Sequence, residues 1–426
     1  MKFNRPTVDV GKAQDLLLQH LTPLEAEIVP LLESFGRTLA EDVHATHPVP
    51  HFVKSGMDGY AVRAVDIQGA TPETPALLKV NEVIPCGSLP TKPIGPGEAA
   101  RIMTGAMLPE GADTVVMFEM TEERQEAGGD EGFEKKESLK YAVVFKEVPL
   151  GRNVSQIGEE MAAGELLLER GRTIQAGEAA LLATFGFSEV PVVRRPRVAI
   201  FTTGSELLAV DAPLQPGKIR NSNRYMLTSL VQSASAQVVS LQTVPDDIEQ
   251  ARALVCDWMN RVDVVLTSGG VSVGDFDIMA DLLDNWDGQV LFQKIEMRPG
   301  SVTSAAARGN AFLCALSGNP GACFVGFELF VRPVLHGLQA RRQVLPTAFT
   351  AVLRGDYPKA NIYARYLRGQ TLLHEGKVYV EPVGKDQSSV TVSIKDSDCL
   401  IVIPPGGGVR DGEMVTALRL PSQPYA

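Results

Sequence analysis

Three segments of this 426-residue chain place glycines, hydroxyls and carboxylates directly after apolar runs. They are Thr202-Thr203-Gly204-Ser205-Glu206-Leu207, Thr267-Ser268-Gly269-Gly270-Val271-Ser272-Val273-Gly274-Asp275-Phe276-Asp277 and Ser317-Gly318-Asn319-Pro320-Gly321. Glycine lets a backbone approach a ligand closely, and free N–H groups at the start of a helix attract anions. A phosphate-bearing ligand fits such turns. The carboxylates of Glu206, Asp275 and Asp277 would repel it unless Mg2+ lay between, since a hard cation takes oxygen ligands and offsets phosphate charge. Any one of these turns is equally well an ordinary tight connection, and Asp246 and Asp247 after Pro245 read as helix N-caps. The glycines match neither the G-x-G-x-x-G fingerprint nor a Walker A loop, so an ordinary nicotinamide enzyme or P-loop ATPase is not supported.

Two further segments carry polar groups in glycine turns nearer the start of the chain. Ser55-Gly56-Met57-Asp58-Gly59-Tyr60-Ala61 sets a carboxylate between glycines, and Arg101-Ile102-Met103-Thr104-Gly105-Ala106 sets a hydroxyl in a similar frame. Taken singly, each is satisfied by an Asx or ST turn. His44, His47 and His51 could suggest a metal, but Pro48 and Pro50 interrupt them and no helix can hold them on one face. The five cysteines, Cys86, Cys256, Cys314, Cys323 and Cys399, are odd in number and far apart, and are expected to be small buried hydrophobes in a reducing cytoplasm.

The elements that must position these residues follow from periodicity. From Val198 onward, strand, helix and strand patterns alternate: Val198 to Phe201, Arg224 to Ser235, Val238 to Val244, a helix after Asp247, Val262 to Leu266, a helix from Asp277, and the apolar Gly321 to Leu338. That alternation predicts a doubly wound, mostly parallel sheet with helices on both faces, which puts all three turns at strand carboxyl ends, where open α/β sheets bind ligands. Before it, a helix near Val8 to His20, turn-rich strands, and a polar hairpin tip or loop over Thr121 to Lys140 predict mixed α+β parts. After Leu345, short β runs predict a small all-β domain. The expected division is 1–50 with 141–190, an inserted mainly β domain at 51–140, an α/β domain at 191–342 and a β domain at 346–426. Hydrophobic residues make up 44% and charged residues 21%, a globular balance that argues against disorder. Forty basic against 51 acidic residues give −11, which disfavours nucleic acid as a partner. No apolar stretch follows Lys2 and Arg5, and no uninterrupted apolar run approaches a span, so the expectation is a cytoplasmic protein with no membrane partner.

Taken in order and spacing, the segments resemble those of the molybdopterin molybdenumtransferases, the MoeA and gephyrin E-domain family. The signals run nearly end to end: the Ser55 to Arg63 and Ile102 to Ala106 segments, Pro109-Glu110-Gly111-Ala112-Asp113, Gly158-Glu159-Glu160 before Gly164, Thr203 to Leu207, Asn221-Ser222-Asn223, Ser268 to Gly274, Arg298-Pro299-Gly300 and Ser317 to Pro320. The resemblance implies an elongated homodimer whose α/β part shares its fold with the enzymes that adenylate molybdopterin. It further implies Mg2+-dependent hydrolysis of adenylyl-molybdopterin with insertion of molybdate into the dithiolene, releasing AMP, with a molybdopterin adenylyltransferase and apo-molybdoenzymes as partner proteins. By the same resemblance Asp58, Thr104, Glu206 and Asp277 are needed for activity, with Asp58 and Thr104 reaching the other subunit. Gly204, Ser205, Asn223, Ser268, Gly269, Gly270, Ser272, Gly274, Ser317, Gly318, Asn319 and Pro320 hold the pterin nucleotide. Arg298, Pro299, Arg365 and Ser388 hold molybdate, and Glu206, Asp275 and Asp277 hold the metal.

The chain also departs from the family pattern. Arg298-Pro299-Gly300-Ser301-Val302 stands where Lys-Pro-Gly-Lys-Pro is usual, so a second cation expected near molybdate is missing, and Ser301 cannot replace a charge. Ser155 replaces a usual Arg, Glu160 a usual Asp and Ser317 a usual Pro. Three alternatives stay open at this point: a variant that inserts tungstate, a non-catalytic molybdopterin-binding scaffold, and another nucleotide-pyrophosphate enzyme on the same α/β domain.

Overall fold

The computed structural model describes residues 6–126, 139–244, 247–270 and 278–421. They form two compact units, one of residues 42–168 with 183–186, the other of 1–41, 169–182 and 187–426. The smaller unit is built on a six-stranded sheet in the order Thr114–Met117, Gly59–Val62, Glu98–Ile102, Ala76–Ile84, Leu139–Val144 and Thr121–Glu126. Side chains alternate across it, as a strand repeat of two requires: Tyr60 and Val62 pack with Leu78 and Val116, while Ala61 packs on the other side with Ile84, Ile102 and Val115. Thr121–Glu126 and Leu139–Val144 are the two legs of the expected polar hairpin. Because the second leg also pairs with Ala76–Ile84, the boundary expected at 140 falls inside a strand.

The larger unit holds the α/β sheet, ordered Gln237–Val244, Arg197–Thr203, Val264–Ser268, Ala311–Leu316, Ser304–Arg308 and Gln289–Phe292. The first four strands are parallel, and Ser304–Arg308 runs antiparallel to both of its neighbours. Both faces are covered. Val198 and Ile200 point to one core with Leu227 and Val231 of the helix Ser222–Ser233. Ala199 and Phe201 point to another with Ala251 and Val255 of the helix Ile248–Trp258. The N-caps are local: Asn221 accepts from the Arg224 N–H, and Asp247 from the Gln250 N–H at 2.8 Å. Asp246 lies outside the described residues.

The apolar segment after the third turn forms one continuous helix through Pro320–Gly326, a π turn over Phe327–Val331 and Arg332–Leu338. Its 19 residues are long and apolar enough by composition to cross a bilayer, yet 94% of the most apolar window is buried in the fold. Two charges interrupt it, Glu328 and Arg332, and they pair at 2.6 and 2.8 Å.

The last sheet runs Met297–Arg298, Ala364–His374, Lys377–Pro382, Ala348–Leu353, Met414–Arg419 and Cys399–Ile403, and Cys399–Ile403 also pairs back to Ala364–His374, closing a five-stranded barrel. Leu353, Leu367, Val380, Ile401 and Val415 fill it. The strand Ala364–His374 carries no clear strand pattern in the sequence, because Arg365 and Arg368 break its apolar alternation. The cysteine expectation needs correction: Cys314, Cys323 and Cys399 are buried, but Cys256 is half-buried and Cys86 is exposed.

Candidate active site

The three expected turns stand side by side at the carboxyl ends of adjacent parallel strands. Gly269 has φ +92°, and a side chain there would meet the Thr203 carbonyl oxygen at 2.5 Å. Gly318 lies against Gly269 in turn, with 3.4 Å from its notional Cβ to the Gly269 Cα. Gly269 is therefore demanded by the close approach of the neighbouring turn as well as by any ligand, whereas Gly318 rests on it in ordinary contact. Gly204 has φ +146°, and the Glu206 carboxylate folds back over it. The Glu206 carbonyl accepts from the Ile219 N–H at 2.9 Å, and the Lys218 ammonium donates to the Ser205 carbonyl at 2.5 Å, fixing the loop.

Asn223, one residue into its helix, ties the turns together. Its amide donates to Ser268 Oγ and to the Gly318 carbonyl, each at 2.8 Å. Ser268 Oγ donates to the Ser317 carbonyl at 3.2 Å, and Ser317 Oγ accepts from the Asn319 N–H at 3.3 Å. The Gly270 carbonyl accepts from the Met279 N–H at 3.0 Å. Buried within this floor, Asn223 Oδ1, Thr203 Oγ1 and Thr267 Oγ1 have no hydrogen-bond partner among the described residues. Buried polar atoms are nearly always satisfied, so the two nearest the turns, on Asn223 and Thr203, point to a polar guest. Cys323 Sγ lies 3.7 Å from Ser268 Oγ, but burial pushes its thiol up to about 12, which keeps it protonated and unreactive. Ser272, Gly274, Asp275 and Asp277 lie outside the described residues. Of the three expected metal ligands the structure thus describes Glu206 alone, and among the described residues no group of three or more His, Cys, Asp and Glu is placed to hold a metal.

The residues expected at an oxyanion also converge. Arg298 and Arg365 are register partners on parallel strands, and such partners project to the same face of a sheet. Pro299 follows directly. The Ser388 carbonyl accepts from the Gly321 and Ala322 N–H groups at 2.8 and 3.2 Å, so a barrel loop caps the helix that begins at Pro320. Sequence reasoning missed Arg368, a buried guanidinium that donates to Ser393 Oγ at 2.7 Å and to the Gln387 carbonyl at 3.2 Å. It also missed the Asp386 carboxylate, to which Arg365 Nη1 donates at 3.0 Å.

In the smaller unit, Asp58 and Thr104 meet across 46 residues of sequence: Asp58 Oδ1 accepts from the Thr104 N–H at 2.6 Å and from Thr104 Oγ1 at 2.8 Å. The Thr104 N–H, then its hydroxyl, hold the exposed Asp58 carboxyl below the usual range. Gly59 is fixed sterically, since a Cβ there would lie 1.9 Å from the Val116 carbonyl oxygen. Gly105, at φ +81°, donates its N–H to the Ser55 carbonyl at 2.8 Å. Two separate sequence motifs thereby become one carboxylate–hydroxyl pair. His44, His47 and His51 are otherwise engaged: His44 Nδ1 sits 3.1 Å from the Gly164 carbonyl, and His47 stacks on Phe185 and His51.

Comparison with known proteins shows the family of the chain. Residues 8–186 match the family model of the MoeA N-terminal region (domain I and II), 199–337 that of a probable molybdopterin binding domain, and 350–420 that of the MoeA C-terminal region (domain IV). The molybdopterin molybdenumtransferase of Bacillus subtilis (strain 168) is 43% identical over 93% of this chain and 90% of its own length. That of Staphylococcus aureus (strain MRSA252) is 39% identical over 96% and 95%. The crystal structure of the molybdopterin biosynthesis moeA protein from Pyrococcus horikoshii OT3 superposes with a TM-score of 0.80 at 28% identity, covering 97% of this chain and 100% of that one. With relatives near 40% identity along almost its whole length, the chain belongs to the molybdopterin molybdenumtransferase family.

Proposed function

We propose that the protein hydrolyses adenylyl-molybdopterin and inserts molybdate into the pterin dithiolene, releasing AMP and the molybdenum cofactor. The observation that carries this reading is the joined floor of three strand-end turns, held by Asn223 and lined by buried Asn223 Oδ1 and Thr203 Oγ1, which have no partner among the described residues. A pterin phosphate and an adenylate are polar anionic guests of the kind such turns accept. Arg298 and Arg365, side by side, supply charge-assisted hydrogen bonds for a dianionic oxyanion. Glu206 with Asp275 and Asp277 would hold Mg2+, whose bound charge offsets that of the phosphates, and carboxylate oxygens suit so hard a cation. Thr104 keeps Asp58 ionised, so that the carboxylate can accept a proton or orient a polar group of the substrate. A homodimer completes the reading. Exposed apolar side chains support it, Ile28 at 61%, Leu32 at 96% and Phe35 at 68%, since a monomer seldom presents such residues so close in sequence.

The test is incubation of purified protein with adenylyl-molybdopterin, Mg2+ and molybdate, following AMP release together with reactivation of a molybdenum-free apoenzyme. Wild-type protein is expected to do both. Glu206→Ala and Asp58→Ala are expected to abolish cofactor maturation while leaving the circular dichroism spectrum of the folded protein unchanged. Full activity in both variants would overturn the assignment; AMP release without reactivation would assign the site to another oxyanion such as tungstate.

A further inference from the structure

We infer that Lys359 supplies the second cation of the oxyanion pocket, and that the Asp386 carboxylate is an internal occupant which an incoming oxyanion displaces. The inference rests on the function proposed above and concerns how that site takes its dianion. Three donors on the barrel converge on a single oxygen, Asp386 Oδ2: Arg365 Nη1 at 3.0 Å, Lys359 Nζ at 3.4 Å and the Tyr357 hydroxyl. Arg365 is held from behind, its Nε donating to Asn361 Oδ1 at 3.2 Å, and both cations lie beside the Tyr357 ring, Lys359 Nζ at 5.7 Å and Arg365 Cζ at 5.9 Å from its centroid. Two cations and a hydroxyl aimed at one anionic oxygen are the contacts a tetrahedral oxyanion would itself need. The Asp386 and Arg365 side chains are only 19% and 17% exposed, so their pairing is poorly screened. Lys359 is 58% exposed and stands at the open side, where it can follow an arriving ligand.

Charge arithmetic separates this reading from a plain surface ion pair. Arg298, exposed and without an ion-pair partner among the described residues, sits beside Arg365 in register. Arg298, Arg365 and Asp386 sum to a single positive charge; the buried Arg368 acts on Asp386 through space, but its donors are spent on Ser393 Oγ and the Gln387 carbonyl. Lys359 adds a second cation that can reach the ligand from the open side. Ser301, two residues after Pro299, contributes none. The turn over 357–361 delivers the missing charge from the barrel side.

Equilibrium dialysis of the purified full chain against inorganic molybdate tests this. Lys359→Gln is expected to weaken molybdate binding by about five- to tenfold, Lys359→Arg to restore it, and Asp386→Asn to tighten it on the order of tenfold, as loss of a like charge at such range implies. Opposite signs from two partners in one ion pair cannot come from a structural role alone, which would weaken binding in both. Wild-type affinity in Lys359→Gln, or weaker binding in Asp386→Asn, overturns the inference. Arg298→Gln separates the two levels: if it abolishes binding while Lys359→Gln does not, the pocket stands and Lys359 is no part of it. A wild-type protein that binds no molybdate overturns both.

Discussion

Asp58 shows how one side chain's chemistry is set by a distant segment. Its carboxylate accepts two bonds from Thr104, so its folded pKa lies below that of the unfolded chain. A depressed carboxylate pKa favours the folded form above the unfolded value, and that contribution is lost as pH falls through the folded one. Thr104→Val removes the hydroxyl and keeps the N–H. The Asp58 midpoint, read by carboxyl-carbon NMR titration, should then move part of the way back toward the ordinary carboxylate value. Both residues were visible in the sequence as glycine-flanked polar positions, but their union was not. Only the antiparallel pairing of Gly59–Val62 with Glu98–Ile102 brings them together, and no periodicity announces a strand partner so far along the chain. The Lys359, Asp386 and Tyr357 cluster was illegible for the same reason, since Asp386 comes from a different barrel loop than Tyr357 and Lys359.

At the level of the element, the helix Pro320 to Leu338 was readable as a long apolar segment, whereas its internal electrostatics were not. His336 lies near its end, half-enclosed among Arg332, Arg341 and the backbone of Gln343 and Val344. Burial first, then the Arg341 and Arg332 charges, lower its pKa to about 3. The unfolded chain binds this proton near pH 6.5 and the folded chain does not. Stability is therefore full above about pH 6.5 and falls with acidification toward pH 3, by up to about 1.4 kcal/mol per pH unit. Urea unfolding of His336→Gln between pH 4 and 7 should show a shallower decline than wild type. The helices Ser222–Ser233 and Ile248–Trp258 were legible from their apolar pattern, and the second also from its cap, since Asp247 acts within three residues. The barrel strand Ala364–His374 was hidden, because its buried Arg368 finds partners that only the closed barrel supplies.

On the scale of the molecule, the barrel and the α/β sheet share a core. Tyr366, Leu400 and Leu420 from the barrel region pack in the same cluster as Val198, Leu266 and Phe327. Leu400→Ala should cost about 2–5 kcal/mol. Hydrogen exchange should register the loss in Val264–Ser268 of the α/β sheet as well as in the barrel; protection lost in the barrel alone would show that the shared core is not cooperative. The division into α/β and all-β parts was legible from strand and helix patterns, but this fusion was not, since apolar residues carry no mark of which sheet they will join.

The same shared core sets an order for synthesis on the ribosome. The six-stranded sheet of the smaller unit is complete once residue 144 has emerged and the whole unit once residue 186 has, and domains that are complete fold as they leave the tunnel. The first helix, which buries Ala13 and Leu17, packs on Gln289–Phe292 and on Phe327–Val331 and Arg332–Leu338, so it must wait, exposed, until residue 338 has emerged, and the core it joins stays open until Leu420 arrives. A nascent chain stalled short of the final strand would carry a finished small unit and an unclosed large one, the form in which chaperones would meet this protein.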